Sequence, residues 1–247
     1  MKLTVLGCGT VVPELEKHMA GHLLEIDGKK YLFDAGPGTV YQILKAKVDI
    51  RCIDHMFFTH FHNDHISDLP ALIWVYHSRL KRERPLNLYG PPGFVEYADL
   101  LSTKIIRAGE LECELNPKEH DEDEFEVDGM KISTKKMKHM ETIGYRVEHK
   151  GKVFVYTGDT AFFPGLIEFA KGADVFLCEC ALLKENVTNN LHMIPEECGR
   201  VAKEAGVKNL VLTHMYPETT AEKTMKIVKK TFDGEVIIAK DLMTIEM

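Results

Sequence analysis

Thr59-His60-Phe61-His62-Asn63-Asp64-His65 follows the strand-like run His55-Met56-Phe57-Phe58. His60 and His62 are two residues apart, so an extended backbone directs both imidazoles to one side. Asp64 and His65 come next, where the chain turns toward a helix. As a purely structural feature, this stretch would set several strongly hydrated groups at a strand end without partners, which is costly. As a ligand cluster it is economical: imidazole and carboxylate together suit Zn²⁺, with Mn²⁺ or Fe²⁺ as alternatives.

Moving outward, three further groups stand at the ends of apolar, strand-like runs: Asp34 in FDAGPGT, Asp159 in YTGDT and His214 in VLTHMYP. Taken singly each is weak, because a lone strand-end histidine is more often structural than a ligand. Asp34 is also compatible with a turn or capping role. Their joint occurrence with the cluster reverses that weighting. The placement fits the general rule that functional side chains sit on loops held by a rigid scaffold.

The expected elements alternate. Lys2 to Leu6 reads as a strand, and Gly21 to Ile26 with Lys30 to Asp34 as a hairpin around Asp27-Gly28. A helix begins at Thr39 and runs to Lys45. His55 to Thr59 is a strand, Leu69 to Leu80 a helix, Leu86 to Tyr89 a strand, and a helix runs on to about Leu101. Two more hairpins are expected over roughly 110–155. The acidic run from Lys118 to Asp128 is expected to be a solvated loop feeding a hairpin. A β–α–β pattern follows: Val175 to Glu179, a helix Pro195 to Ala205, Asn209 to Thr213, a helix Thr220 to Thr231, and Glu235 to Ile238. Proline at a first helical turn costs no hydrogen bond, and Gly206 suits the helix stop. A weak internal echo relates Gly28–Asp34 to Gly151–Asp159 and His55–His60 to Asn209–His214. It suggests two halves packed sheet to sheet with helices outside.

Of 247 residues, 45% are hydrophobic and 28% charged, which is enough for a full globular core. The formal net charge of −7 argues against long nucleic acid as a default partner. The one tight basic cluster is Arg79, Lys81, Arg82 and Arg84. No run approaches the roughly eighteen apolar residues of a membrane span, so no membrane partner is expected. The N-terminus lacks the pattern of a secretory signal, so a cytoplasmic location is expected. Cys8, Cys52, Cys113, Cys178, Cys180 and Cys198 are expected to be reduced, buried thiols, since no second C-x-x-C completes a metal site.

HFHNDH resembles the H-x-H-x-D-H signature of the metallo-β-lactamase superfamily, and the family's remaining positions find matches in order along nearly the whole chain, in Asp34, His139 of KKMKH, Asp159 and His214. The resemblance implies a single α/β domain over residues 1–247, an αββα sandwich with the site at one sheet edge. It implies two metal ions, Zn²⁺ in the first instance. His60, His62 and His139 would hold one, Asp64, His65 and His214 the other, and Asp159 would bridge them. Asp34 would orient a ligand histidine from behind.

Within the superfamily, LGCGTVVP, FDAGPGTVYQIL, HFHNDHISDLPALI and the pair Cys178-Glu179-Cys180 with His192-Met193-Ile194-Pro195-Glu196 resemble the branch containing the tRNA 3′-processing endonuclease, RNase Z. In that branch a glutamate and a histidine form a pair beside the scissile phosphate, and Glu179 and His192 match them. Asp64, Glu179 and His192 are therefore the candidate catalytic residues. The sequence also departs from the branch. Its tRNA-gripping arm would lie between His139 and Asp159, where this chain has only a tight turn at His149-Lys150-Gly151. Glu14 and Glu16 stand in the loop that is basic in the branch, Asp68 replaces a glycine, and Met193-Ile194 replace small hydroxyl residues.

These departures point away from tRNA and leave hydrolysis intact. The expected activity is a metal-dependent phosphodiesterase acting on a small phosphoester or a short nucleic-acid end. A tRNA 3′-endonuclease working without its own arm and a carboxylic ester or lactone hydrolase are the alternatives. The chain is also a candidate homodimer.

Overall fold

Three hairpins show how local sequence sets the architecture. Each closes on two residues with positive φ: Asp27 (49°) and Gly28 (80°), Asp128 (52°) and Gly129 (77°), Lys150 (49°) and Gly151 (75°). Two consecutive positive φ values define the type I′ turn, whose twist matches that of the flanking strands. The structure, a computed structural model, describes residues 1–77, 84–106 and 111–247. They group into two compact units, Met1–His120 with Asp241–Glu246, and Asp121–Lys240 with Met247.

The first unit carries a seven-stranded mixed sheet in the order β14-β1-β2-β3-β4-β5-β6. Its strands are β1 (Lys2–Gly7), β2 (Gly21–Ile26), β3 (Lys29–Ala35), β4 (Ile53–Phe57), β5 (Leu86–Gly90), β6 (Leu115–Glu119) and β14 (Thr244–Glu246). β14, β1, β2 and β3 pair antiparallel, and β3 to β6 pair parallel. The helices are α1 (Thr39–Lys45), α2 (Asn63–Ile66), α3 (Leu69–Val75) and α4 (Phe94–Leu100). Leu32, Met56, Phe58 and Leu88 pack with Ile43 of α1, Leu72 and Ile73 of α3 and Phe94 of α4 in one buried cluster.

The second unit repeats the plan, with order β13-β12-β11-β10-β9-β8-β7. Here β7 (Glu124–Val127), β8 (Met130–Lys136), β9 (Ile143–His149) and β10 (Lys152–Tyr156) form an antiparallel meander. β11 (Val175–Glu179), β12 (Asn209–Thr213) and β13 (Glu235–Ile238) extend it in parallel. The helices are α5 (Gly165–Phe169), α6 (Pro195–Glu204) and α7 (Ala221–Val228). Cys198, Val201 and Ala202 of α6, at helical spacing, bury against Phe176, Cys178, Leu210 and Leu212. Pro195 opens α6, and Gly206, at φ 64°, follows its end.

The α/β class expected from sequence is therefore present as two mixed sheets with flanking helices. Most element bounds agree within two residues, and several expectations change. Leu115–Glu119 does not form a hairpin but joins the first sheet parallel to β5, and with Glu124–Val127 forming β7 the run expected as an acidic loop from Lys118 to Asp128 is largely strand. β6 is an edge strand, which is where a proline such as Pro117 is tolerated. The sequence reading did not include β14 or α5. The helix from Thr220 is shorter than expected, ending at Val228. The echo holds for β3 and β10, which both join the antiparallel and parallel halves of their sheets. It is looser for β4 and β12, because β11 separates β12 from β10. Cys52 is exposed rather than buried, whereas the other five cysteines are buried and all six are free thiols.

The end of the helix expected to reach Leu80, and Arg79, Lys81 and Arg82 of the basic cluster, lie outside the described residues. Arg84 is described, and its Nη1 is 2.8 Å from Asp54. Among the described residues, no helix is long and apolar enough to cross a membrane.

Candidate functional site

In the first unit the potential ligands gather where β3 and β4 end. Asp34, next to last in β3, has a left-handed backbone (φ 56°), a conformation that Asn and Asp accept more readily than other side chains. Its buried carboxylate accepts the Thr59 backbone N–H (2.8 Å), the Thr59 hydroxyl (2.9 Å) and the His65 Nδ1–H (2.8 Å). With its hydrogen committed to Asp34, the Thr59 hydroxyl accepts from His60 Nδ1 at 2.9 Å. Both histidines are thereby held in the tautomer that leaves the Nε2 lone pair for coordination.

The His60 ring lies 4.2 Å from that of His65 and 4.6 Å from that of His62, centroid to centroid. Asp64 Oδ2 is 3.9 Å from His65 Nε2. His60, Asp64 and His65 are buried, and His62 is exposed. Asp68 lies one turn further on. Its carboxylate accepts the Val40 N–H (2.9 Å) and its own N–H donates to Ala35 (2.8 Å), so it ties the start of α3 to the segment after Asp34. Burial holds its carboxyl above the usual range despite these donors.

In the second unit the pattern recurs. His139 follows β8, and its Nδ1–H donates to the Leu191 carbonyl (3.0 Å), again reserving Nε2. Asp159 follows β10, and His214 follows β12 with a left-handed backbone (φ 55°). The Asp159 carboxylate is 3.9 Å from His139 Nε2 and 3.5 Å from His214 Nε2. Donors about 2.0–2.2 Å from a shared ion in tetrahedral geometry stand roughly 3.3–3.5 Å from one another. These separations are near that spacing and longer than a good hydrogen bond. Together with the reserved Nε2 atoms and the buried carboxylates, they suit a divalent metal.

Glu179 ends β11 and is fully buried. Its Oε1 accepts the His192 Nδ1–H at 2.9 Å. The His192 ring lies 5.0 Å from that of His139 and 5.8 Å from that of His214. Asp159, His192 and His214 offer ligand atoms all within 4.8 Å of one another. The pairing of Glu179 with His192, expected only through the resemblance, is thus present in the structure.

In each unit the residues named from sequence come together. Sequence reasoning gave no role to Thr59, to the Leu191 carbonyl or to Thr160. Thr59 stands in the quoted stretch, and a hydroxyl directly before H-x-H could have drawn notice. A backbone carbonyl carries no sequence signal. Only the two-residue turn Lys150-Gly151 joins β9 to β10, as expected between His139 and Asp159.

A ribonuclease Z of Archaeoglobus fulgidus is 27% identical, with all of this chain and 97% of that protein covered. That alignment extends over 305 positions against 247 residues here, so the relative carries residues with no counterpart in this chain. An uncharacterized protein of Mycobacterium leprae is 32% identical, with 96% of this chain and 85% of that protein covered. Among solved structures, the metallo-β-lactamase fold protein YhfI of Bacillus subtilis superposes with a TM-score of 0.87 at 26% identity, covering 100% and 99% of the two chains. Residues 29–215 match the family described as Beta-lactamase superfamily domain. That span runs from the hairpin carrying Asp34 to just beyond His214 and takes in each candidate ligand, and by it the chain belongs to the β-lactamase superfamily.

Proposed function

We propose that this protein is a metal-dependent hydrolase of phosphodiester bonds, acting in the cytoplasm on a small phosphoester or a short nucleic-acid end. Residues 1–247 are read as one catalytic domain. Two divalent ions, zinc in the first instance, would be held by the set that the family resemblance implies. By that resemblance His60, His62 and His139 would hold one, Asp64, His65 and His214 the other, and Asp159 would contribute to both. Ions bound there lower the pKa of water toward neutrality and stabilise charge on the reacting oxygens.

The observation that carries the choice of substrate is the Glu179–His192 pair. Nδ1 of His192 donates to a fully buried carboxylate 2.9 Å away, so Nε2 is the atom left to face a substrate. His192 is read as the group that passes a proton from Nε2 to the leaving oxygen, a step that a poor phosphodiester leaving group needs. Asp64, in the cluster after β4, is read as orienting the attacking water.

The test is turnover by zinc-loaded protein of an alkyl phosphodiester, a carboxylic ester and a lactone of similar size. We expect the phosphodiester to be hydrolysed fastest. Faster hydrolysis of the ester or lactone would reject the reading in favour of the carbonyl alternative.

A tRNA 3′-endonuclease is the second reading, favoured by the ribonuclease Z relative. The tight β9–β10 turn and the ion pair that neutralises Lys17 with Glu14 (2.8 Å) weigh against a surface built for tRNA. Correct cleavage of precursor tRNA at moderate salt would move it to first place.

A further inference from the structure

The Glu179 carboxylate does more than hold one ring. Oε1 accepts the Thr160 N–H (2.7 Å) as well as His192 Nδ1–H, and Oε2 accepts the N–H groups of Ala181 and Met193 (3.2 Å each). Three backbone donors and an imidazole converge on one fully buried side chain. Thr160 directly follows Asp159. Its Oγ1 accepts the Lys138 N–H (3.0 Å), and Lys138 directly precedes His139. His139 donates to the Leu191 carbonyl, directly before His192, whose ring returns to Glu179. The hydrogen bonds therefore close a ring that runs from Glu179 through Thr160, Lys138-His139 and Leu191-His192 back to Glu179.

We infer that Glu179 is a positioning residue for the metal ligands Asp159 and His139, through Thr160, in addition to its hold on His192. This rests on the proposed metal reading. The physical reason is directional: a carboxylate offers about four lone-pair sites, and here four donors use them. A glutamine in its place has one acceptor oxygen and an NH₂ that would face N–H donors, so it can keep one pair of these bonds and must lose the other. Outer groups that orient ligands contribute about 10- to 100-fold to metal affinity.

The experiment is a chelator titration of the zinc-loaded full chain with a chromophoric zinc chelator, comparing wild type with Glu179→Gln, Thr160→Val and His192→Ala. We expect Glu179→Gln to release zinc at about 10-fold or more lower chelator concentration, and Thr160→Val to shift the same way. His192→Ala, which opens the ring at the imidazole and leaves the Glu179–Thr160 bond in place, should shift zinc release less than Glu179→Gln. A merely structural role would lower Tm and leave zinc affinity in the folded protein unchanged. Zinc retention by Glu179→Gln equal to the wild type would overturn the inference. Should Glu179→Gln not fold, Thr160→Val tests the branch through Lys138, and wild-type affinity there would overturn the link from Glu179 to His139. A wild-type chain that takes up no zinc rejects the metal reading itself, an outcome distinct from either variant result.

Discussion

Asp34 Oδ2 and His65 Nδ1 are 2.8 Å apart, and both side chains are buried. The carboxylate fixes the imidazole tautomer from behind, and through Thr59 it also governs His60. One side chain outside the candidate ligand set thus orients two of its members.

Asp34→Asn should weaken zinc affinity by about 10- to 100-fold with the fold retained. Asparagine tolerates the left-handed backbone at this position, which separates the loss of orientation from backbone strain. Chelator competition alongside circular dichroism measures both. Unchanged affinity would remove Asp34 from the orienting role.

His192→Ala should depress turnover of an alkyl phosphodiester by roughly 10²–10⁴-fold, the scale of general acid catalysis. An activated diester such as bis-p-nitrophenyl phosphate needs little protonation and should lose much less. The readout is the ratio of mutant to wild-type rates on the two substrates, with zinc content checked in parallel. Equal losses on both would mean that the proton is not the point.

Native protein at pH 8 should show one rapidly reacting thiol of six, because Cys52 alone is exposed. Burial first, and the nearby Asp241 carboxylate second, push the Cys8 thiol up to about 12. Burial likewise raises Cys178 and Cys198. Titration with a chromogenic disulfide before and after denaturation counts the two classes. A second fast equivalent would contradict the described packing.

Asp174 links stability to pH. Burial alone would raise its carboxyl. Lys208 Nζ (2.7 Å), the Val153 N–H (2.8 Å) and nearby Lys152 outweigh that and hold it below the usual range. A lowered folded pKa means stabilisation that is present above the unfolded value of about 3.9 and lost as pH falls through the folded value. Asp174→Asn should cost about 1–2 kcal/mol at pH 7, with the difference from wild type shrinking below roughly pH 4. Urea unfolding at the two pH values tests this; a difference that does not change with pH would show that the charge is immaterial.

Much of this was legible in the sequence because it is local. HFHNDH compresses four donors into six residues, and Asp27-Gly28 announces its own turn. The expected bounds of α1, β11, β12 and β13 match because each begins just after a Gly, Asp or Lys: Gly38, Asp174, Lys208 and Gly234. Pairing partners were less legible. Leu115–Glu119 could be read as extended, but nothing within it says which sheet it joins. β14, three residues long, exists through its register with Lys2, Leu3 and Thr4, far away in sequence. The ring through Glu179, Thr160 and Leu191 depends on backbone atoms, which every residue carries, so no residue type marks it.

The Lys150-Gly151 turn has one more consequence. A two-residue hairpin end brings the chain back to within one strand spacing of where it left. Lengthening such a loop is cheap: each doubling costs only about 0.6 kcal/mol, so growth to some sixty residues costs on the order of 3 kcal/mol. The β9–β10 tip, between His139 and Asp159 in sequence, can thus take a longer connection without altering the pairing of Ile143–His149 with Lys152–Tyr156. Strand pairing and the length of the connection are separable in this hairpin, and this chain has the connection in its two-residue form.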